Sequence, residues 1–362
     1  MKHNLLTYVM IAAGVTSFVA CSNDDDNSNP SVKPYTVPTT YSFNNASYTT
    51  STQRVKMAIE LDAYLKLANA GATVVPLDQA KVTNMWANSG NPFADASLNT
   101  SGKSLREVTS DADLYKAYAD SVVRYNIATP AAPGVGGLVP RGANKIIVGP
   151  RGLEYGQSFV KGIMGGLYFK EAVRILGSVK TVAARDTTAA QKLWDEAFGY
   201  LAVPANYDSS LAYPNTDPNR PLLWGGYLAE RGKSIQAGGI IFGAFLKGRA
   251  AIGGYDTKVR DEQVDIILAK WEQLAAAAAL NYVTAPTASS AIGNFGTQLH
   301  ALSEGQGFIA ALKYRANNNK LSPANFATLS AIINKDFYVL LNQPGFTDLV
   351  TAQTILKTAY GL

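Results

Sequence analysis

The sequence predicts an all-α fold, and three observations carry that expectation. In 262–280, EQVDIILAKWEQLAAAAAL, apolar residues fall at Val264, Ile267, Leu268, Trp271, Leu274, Ala275 and Ala278, which is one face of an α-helix. Seven further stretches repeat the pattern: 53–69, 112–127, 153–176, 189–202, 230–252, 296–315 and 322–341. Alternating strands with hairpin turn signals do not stand out, short runs such as Lys145-Ile146-Ile147-Val148 apart.

Taken in order, residues 1–20 have a basic start at Lys2, an apolar run from Leu5 to Ala20 and small residues before Cys21, the layout of an export signal. Phe18-Val19-Ala20-Cys21 resembles a lipobox, in which the cysteine thiol receives a diacylglycerol chain, with phenylalanine where leucine is usual. Cys21 is the only cysteine, so no internal disulfide supports the fold. Residues 21–40 read as a polar tether too poor in apolar groups to bury anything. Its Asp24-Asp25-Asp26 run is similar to the acidic signal that sends lipoproteins of Bacteroidota to the outer face of the outer membrane. The expected location is therefore the outer membrane, lipid-anchored and facing outward, with the membrane as a partner through the lipid.

From 41 to 362 the composition is that of a globular helical domain. LEYGQSFVKGI (153–163) and LSEGQGFIAAL (302–312) align as Gly156-Gln157-Ser158-Phe159-Val160 against Gly305-Gln306-Gly307-Phe308-Ile309. The same offset lays DLYKAYADSVVRYN onto VDIILAKWEQLAAA. This suggests a duplication into halves 41–226 and 227–362, each a four-helix bundle, although five matched positions also arise by chance. Residues 71–110, 128–152 and 204–226 are rich in Gly and Pro and read as long loops. The third carries Tyr207, Tyr213, Trp224 and, at its edge, Tyr227 among prolines. These four either form a recognition surface or pin the loop to the bundle.

The net charge of +5 is scattered rather than gathered in a stripe, which argues against nucleic acid as a partner. A mature histidine-dependent hydrolase would have only His300 to use, and Ser303, three residues on, sits in a helical pattern that supplies neither a sharp nucleophile turn nor an oxyanion hole. No H-E-x-x-H, paired-cysteine or calcium-loop motif is present. GYLAERGKS (226–234) has one residue too many for a phosphate-binding loop and follows no strand. An enzyme is therefore not expected. Glu154, Glu171, Asp195, Glu196, Glu230, Glu272 and Glu304 lie in or beside helical stretches, and inward carboxylates with a histidine can bind iron in a bundle. His300 and Glu304, four apart, share a face and could reach one ion or ligand; alternatively they form a structural pair inside the bundle.

NPFADASLNTSGKSL, AAPGVGG, GLEYGQSFVKG, KLWDEAFGYL, FLKGRAAI, RDEQVDI and HALSEGQGFIAAL, in that order, resemble the domain of unknown function 4856 family, lipoproteins of Bacteroidota and related marine bacteria. Members of that family are often encoded near imelysin-like proteins, which are exported, iron-regulated and built from two helical bundles with a Gly-x-His-x-x-Glu motif. Here Gln298 stands in place of that glycine, and Glu304 falls four rather than three after His300. The resemblance implies a non-enzymatic binding or accessory component in iron or haem acquisition, working with an iron-uptake receptor or an imelysin-like protein. Two rival expectations are a glycan-capturing lipoprotein using the aromatic loop and, last, a peptidase.

Overall fold

The computed structural model describes residues 30–71 and 73–362, so the expected export signal, Cys21 and the first part of the tether lie outside the described residues. The fold is all-α apart from one hairpin. In chain order the helices are α1 (Thr49–Lys66), α2 (Gln79–Ala87), α3 (Ala96–Asn99) and α4 (Ala112–Tyr125). The hairpin β1 (Gly137–Arg141) and β2 (Asn144–Val148) follows. Next come α5 (Tyr155–Ile163), α6 (Lys170–Val179), α7 (Thr187–Gly199), α8 (Trp224–Glu230) and α9 (Ala237–Gly253). The chain ends with α10 (Thr257–Thr284), α11 (Phe295–Ala311), α12 (Pro323–Ile333), α13 (Phe337–Leu341) and α14 (Thr347–Tyr360).

All eight expected helical stretches contain helix. Residues 71–110, expected as loop, also carry α2 and α3, each begun by an aspartate whose carboxylate accepts from a backbone N–H: Asp78 from Ala80 and Asp95 from Ser97. The 128–152 loop contains the antiparallel hairpin, with Leu138 opposite Ile147 and a turn at Gly142, whose φ of +60° glycine adopts without strain. Its second strand is buried from Lys145 to Val148 and so lacks the alternation that marks a half-buried strand. One apolar core joins the two expected halves: buried residues from Tyr41 to Tyr360 form a single cluster that includes Trp194, Trp224 and Trp271.

Helices α5 and α6 are one continuous rod interrupted by a π-helical turn, Met164–Phe169. Such turns are uncommon inside a helix, and here two carbonyls of the turn accept from outside the rod. The Trp224 indole Nε1–H donates to Met164 O at 2.6 Å, and Ser110 N–H donates to Gly166 O at 2.9 Å.

Buried charges tie distant segments together. On α7, Asp195 accepts from Arg249 of α9 (2.8 Å), from the Tyr41 hydroxyl (2.7 Å) and from Ser47 N–H (3.1 Å). On α6, Glu171 pairs with Lys170 and Arg174. On α10, Glu272 accepts, among the described residues, from the Tyr360 hydroxyl of α14 alone, at 2.7 Å, and burial pushes its carboxyl above the usual range. A carboxyl raised in the folded state favours folding most below its unfolded value, and that contribution is lost as pH rises through the folded value. Glu272→Gln keeps an oxygen for Tyr360 and removes the buried charge, so it is expected to raise stability at neutral pH by about 1 kcal/mol. Urea midpoints should separate the two proteins at pH 7 and bring them together near pH 4; a variant less stable at both would contradict this.

Candidate functional site

The two segments whose sequences match pack directly against each other. At the start of α5, Glu154 N–H donates to Ser303 Oγ of α11 at 2.8 Å. Further along, Gly307 meets Lys161 and Gly162, where an added Cβ would lie 2.5 Å from the Lys161 Cβ, and Gly165 meets Ala311 in the same way. Contacts advance in the same sense along both chains, so α5 and α11 run parallel, and small residues let their backbones approach.

His300 and Glu304 lie at this crossing. His300 Nδ1 is 2.7 Å from Glu154 Oε2; a carboxylate only accepts, so Nδ1 carries the hydrogen. The other Glu154 oxygen accepts from Asn69 Nδ2 at 3.2 Å, which fixes the carboxylate that orients the ring. His300 Nε2 is 3.8 Å from Glu304 Oε1, beyond hydrogen-bonding distance, and has no hydrogen-bond partner among the described residues. The imidazole retains 16% exposure, whereas Glu154 and Glu304 are buried.

Glu304 also has Lys161 Nζ at 3.4 Å. Burial pushes the Glu304 carboxyl up, but Lys161, His300 and the Tyr282 hydroxyl outweigh it and hold the carboxyl below its usual value. Burial likewise depresses Lys161, and Glu304 outweighs that to raise it. The contribution of Glu304 to stability is present above the ordinary carboxylate value of 4.5 and is lost as pH falls through the lowered one. Tyr282 and Tyr227, whose hydroxyls are 3.0 Å apart, complete the cluster; burial and then the Glu304 charge push both phenols up.

The aromatic segment at 204–227 turns inward. Trp224 is fully enclosed, Tyr207 and Tyr227 are buried, and Tyr213 is half-buried and stacked on Tyr207 with ring centres 5.9 Å apart. The reading of these four as an open recognition surface gives way to the other one: the rings fasten the loop to the core. A cleft of about 390 Å³ remains beside them, lined by Lys161, Tyr213, Arg220, Tyr227 and Glu230. It brings the loop and the α5–α11 crossing together through Lys161, which lines the cleft and pairs with Glu304.

The sequence profile described as "Domain of unknown function (DUF4856)" matches residues 38–359. The chain belongs to that family. No curated protein and no solved structure matches this member of the DUF4856 family. Among its described residues, no three of His, Cys, Asp and Glu come together as a group that could hold a metal ion, and no helix is long and apolar enough to cross a membrane. The crossing of the DUF4856 chain brings His300 and Glu304 together as their spacing implies. It adds Glu154, Lys161 and Tyr282, which helical spacing around His300 could not reveal because they come from other elements. A signal for Glu154 and Lys161 did exist: both lie in the 153–163 segment that matches the segment beginning just after His300.

Proposed function

We propose that this chain is a lipid-anchored, outward-facing outer-membrane protein that acts without catalysis as a binding component in the capture of haem iron. The observation that carries the reading is the unpartnered Nε2 of His300 on a ring whose Nδ1–H is held by Glu154. Metal-binding imidazoles are commonly oriented by such a carboxylate. Bare iron would require more protein donors than His300 and Glu304, and Lys161 competes with a cation for Glu304. Haem requires fewer, because the porphyrin supplies four nitrogens and one axial imidazole suffices. Lys161 and Arg220 in the adjacent cleft have the charge to meet the propionates.

The anchoring half of the proposal is supported by Phe18-Val19-Ala20-Cys21 and the acidic run after it. Partners in this reading are the membrane, an iron-uptake receptor and an imelysin-like protein. Glycan capture through the 204–227 segment is the weaker reading, since the rings that would stack on sugars are enclosed or half-buried.

The test in cells compares growth on haem as the sole iron source, and the amount of the protein in iron-starved and iron-replete cells. The expected result is a rise on starvation and a growth defect in a His300→Ala strain that still contains wild-type amounts of protein. Equal amounts in both conditions, together with unimpaired growth of that strain, would remove the haem reading.

A further inference from the structure

Half of the large apolar side chains that stand exposed among the described residues belong to one end of the molecule: Leu67, Ile127, Val135, Ile292, Phe295 and Val339. The segments bearing them are built into one surface around the hairpin. Lys145 Nζ donates to the carbonyls of Ala70, Gly71 and Thr73 at 2.7 to 2.9 Å, joining β2 to the end of α1. Gly296 at the start of α11 lies against Pro140 O of β1, where any Cβ would collide. Phe337 N–H of α13 donates to Arg151 O at 2.9 Å, and the rings of Phe295 and Tyr338 are 6.4 Å apart. The exposed charges here include Arg124, Arg141 and Arg151, and neither 121–153 nor 284–303 contains any Asp or Glu. Within these two stretches exposed apolar groups are interspersed with arginine and no acid, and Asp336, which begins α13 beside Val339, is engaged by the Tyr338 N–H; this is the composition of an interface rather than of a solvated surface.

The opposite end is where the chain enters the fold. Lys33 N–H donates to Gly254 O at 2.8 Å and the Tyr35 hydroxyl to Asp256 at 3.0 Å, fastening the chain to the turn between α9 and α10. From that turn α10 alone carries the structure about 42 Å towards the hairpin end over its 28 residues. Twelve residue steps separate Cys21 from Lys33, a span of at most about 40 Å. If Cys21 carries the lipid, as the proposed function holds, the tether keeps the α9–α10 turn near the bilayer and the hairpin end away from it. A lipid surface is then a poor occupant for the basic, apolar end. We infer that the hairpin end is a docking surface for a partner protein that presents an acidic face with an apolar centre. Complementary charge gives such an encounter its register.

The experiment places a photoreactive benzoylphenylalanine in intact cells at position 295, and, as a control, at position 266, where Ile266 is also exposed but lies in the first half of α10. The expected result is one discrete protein adduct from 295 and none from 266, mapped to an acidic surface and reduced at least tenfold by Arg141→Glu with Arg151→Glu. Lack of an adduct, a lipid adduct, a second copy of this chain, or an adduct indifferent to charge reversal would each overturn the inference. Fractionation of a Cys21→Ser strain tests the anchor separately. Adduct loss with the anchor intact counts against the docking surface alone, and an adduct formed by an unanchored wild-type chain counts against the anchor alone.

Discussion

Trp224→Ala is expected to lower the stability of the fold by about 4 kcal/mol, in the middle of the range for truncating an enclosed aromatic ring. The ring is fully buried and lies between Trp271, Phe308 and Phe169, with centre separations of 6.1, 5.7 and 6.3 Å. The truncation also removes the indole N–H that donates to the Met164 carbonyl in the π turn of the α5–α6 rod. Trp224→Phe separates the two contributions: it keeps most of the apolar volume and loses only the indole N–H, with an expected cost of about 1–3 kcal/mol. Urea denaturation of both variants measures this. An alanine variant as stable as the wild type would mean that the ring is not held in the core. The result also bears on ligand assays, because lost binding in Trp224→Ala would report a loosened scaffold before it reported a lost contact.

The second large effect is expected at Asp195. Asp195→Ala leaves Arg249, 3% exposed, without its carboxylate and leaves the Tyr41 hydroxyl and Ser47 N–H without an acceptor. Removing one member of a buried pair costs about 3–5 kcal/mol, most of it the burial of the charge left behind. The Lys258–Glu262 pair on the exposed face of α10, 4.0 Å apart, provides the contrast. Lys258→Ala should change stability by less than about 0.5 kcal/mol, because solvent screens an exposed pair. Equal losses at the two sites, read by thermal melts in parallel, would contradict the assignment of Asp195 as the junction of the N-terminal segment, α7 and α9.

The helices were legible because each buries an apolar stripe at helical spacing, as Val264, Ile267 and Trp271 do on α10. α14 was harder to see: its buried residues Leu349, Ala352, Leu356 and Tyr360 are few, and Val350 beside them faces solvent. The hairpin was hidden because Ile146, Ile147 and Val148 are all buried, so period two never appears. At the candidate site, the spacing of His300 and Glu304 put two groups on one face but said nothing of what faces them. Glu154 and Lys161 arrive from α5 and its N-terminus, and Tyr282 from α10. Trp224 misled for a physical reason: an aromatic among prolines and glycines has the same sequence signature whether it covers a ligand or caps a carbonyl. Here it does the second, donating to Met164 O within the π turn of 164–169, and no periodicity in MGGLYF announces that turn.

In the proposed function His300 is an oriented, available imidazole rather than only a bracket between α5 and α11. Haem titration of the purified chain from residue 30 to 362, followed by visible absorption, is run beside His300→Ala and Glu154→Gln. Saturable one-to-one binding with a shifted absorption band is expected in the wild type. Binding should be weakened about 10–100-fold by Glu154→Gln and lost in His300→Ala, with the helical circular dichroism of both variants unchanged. No saturable binding, or binding identical in His300→Ala, would contradict the proposal and leave His300 as part of the scaffold.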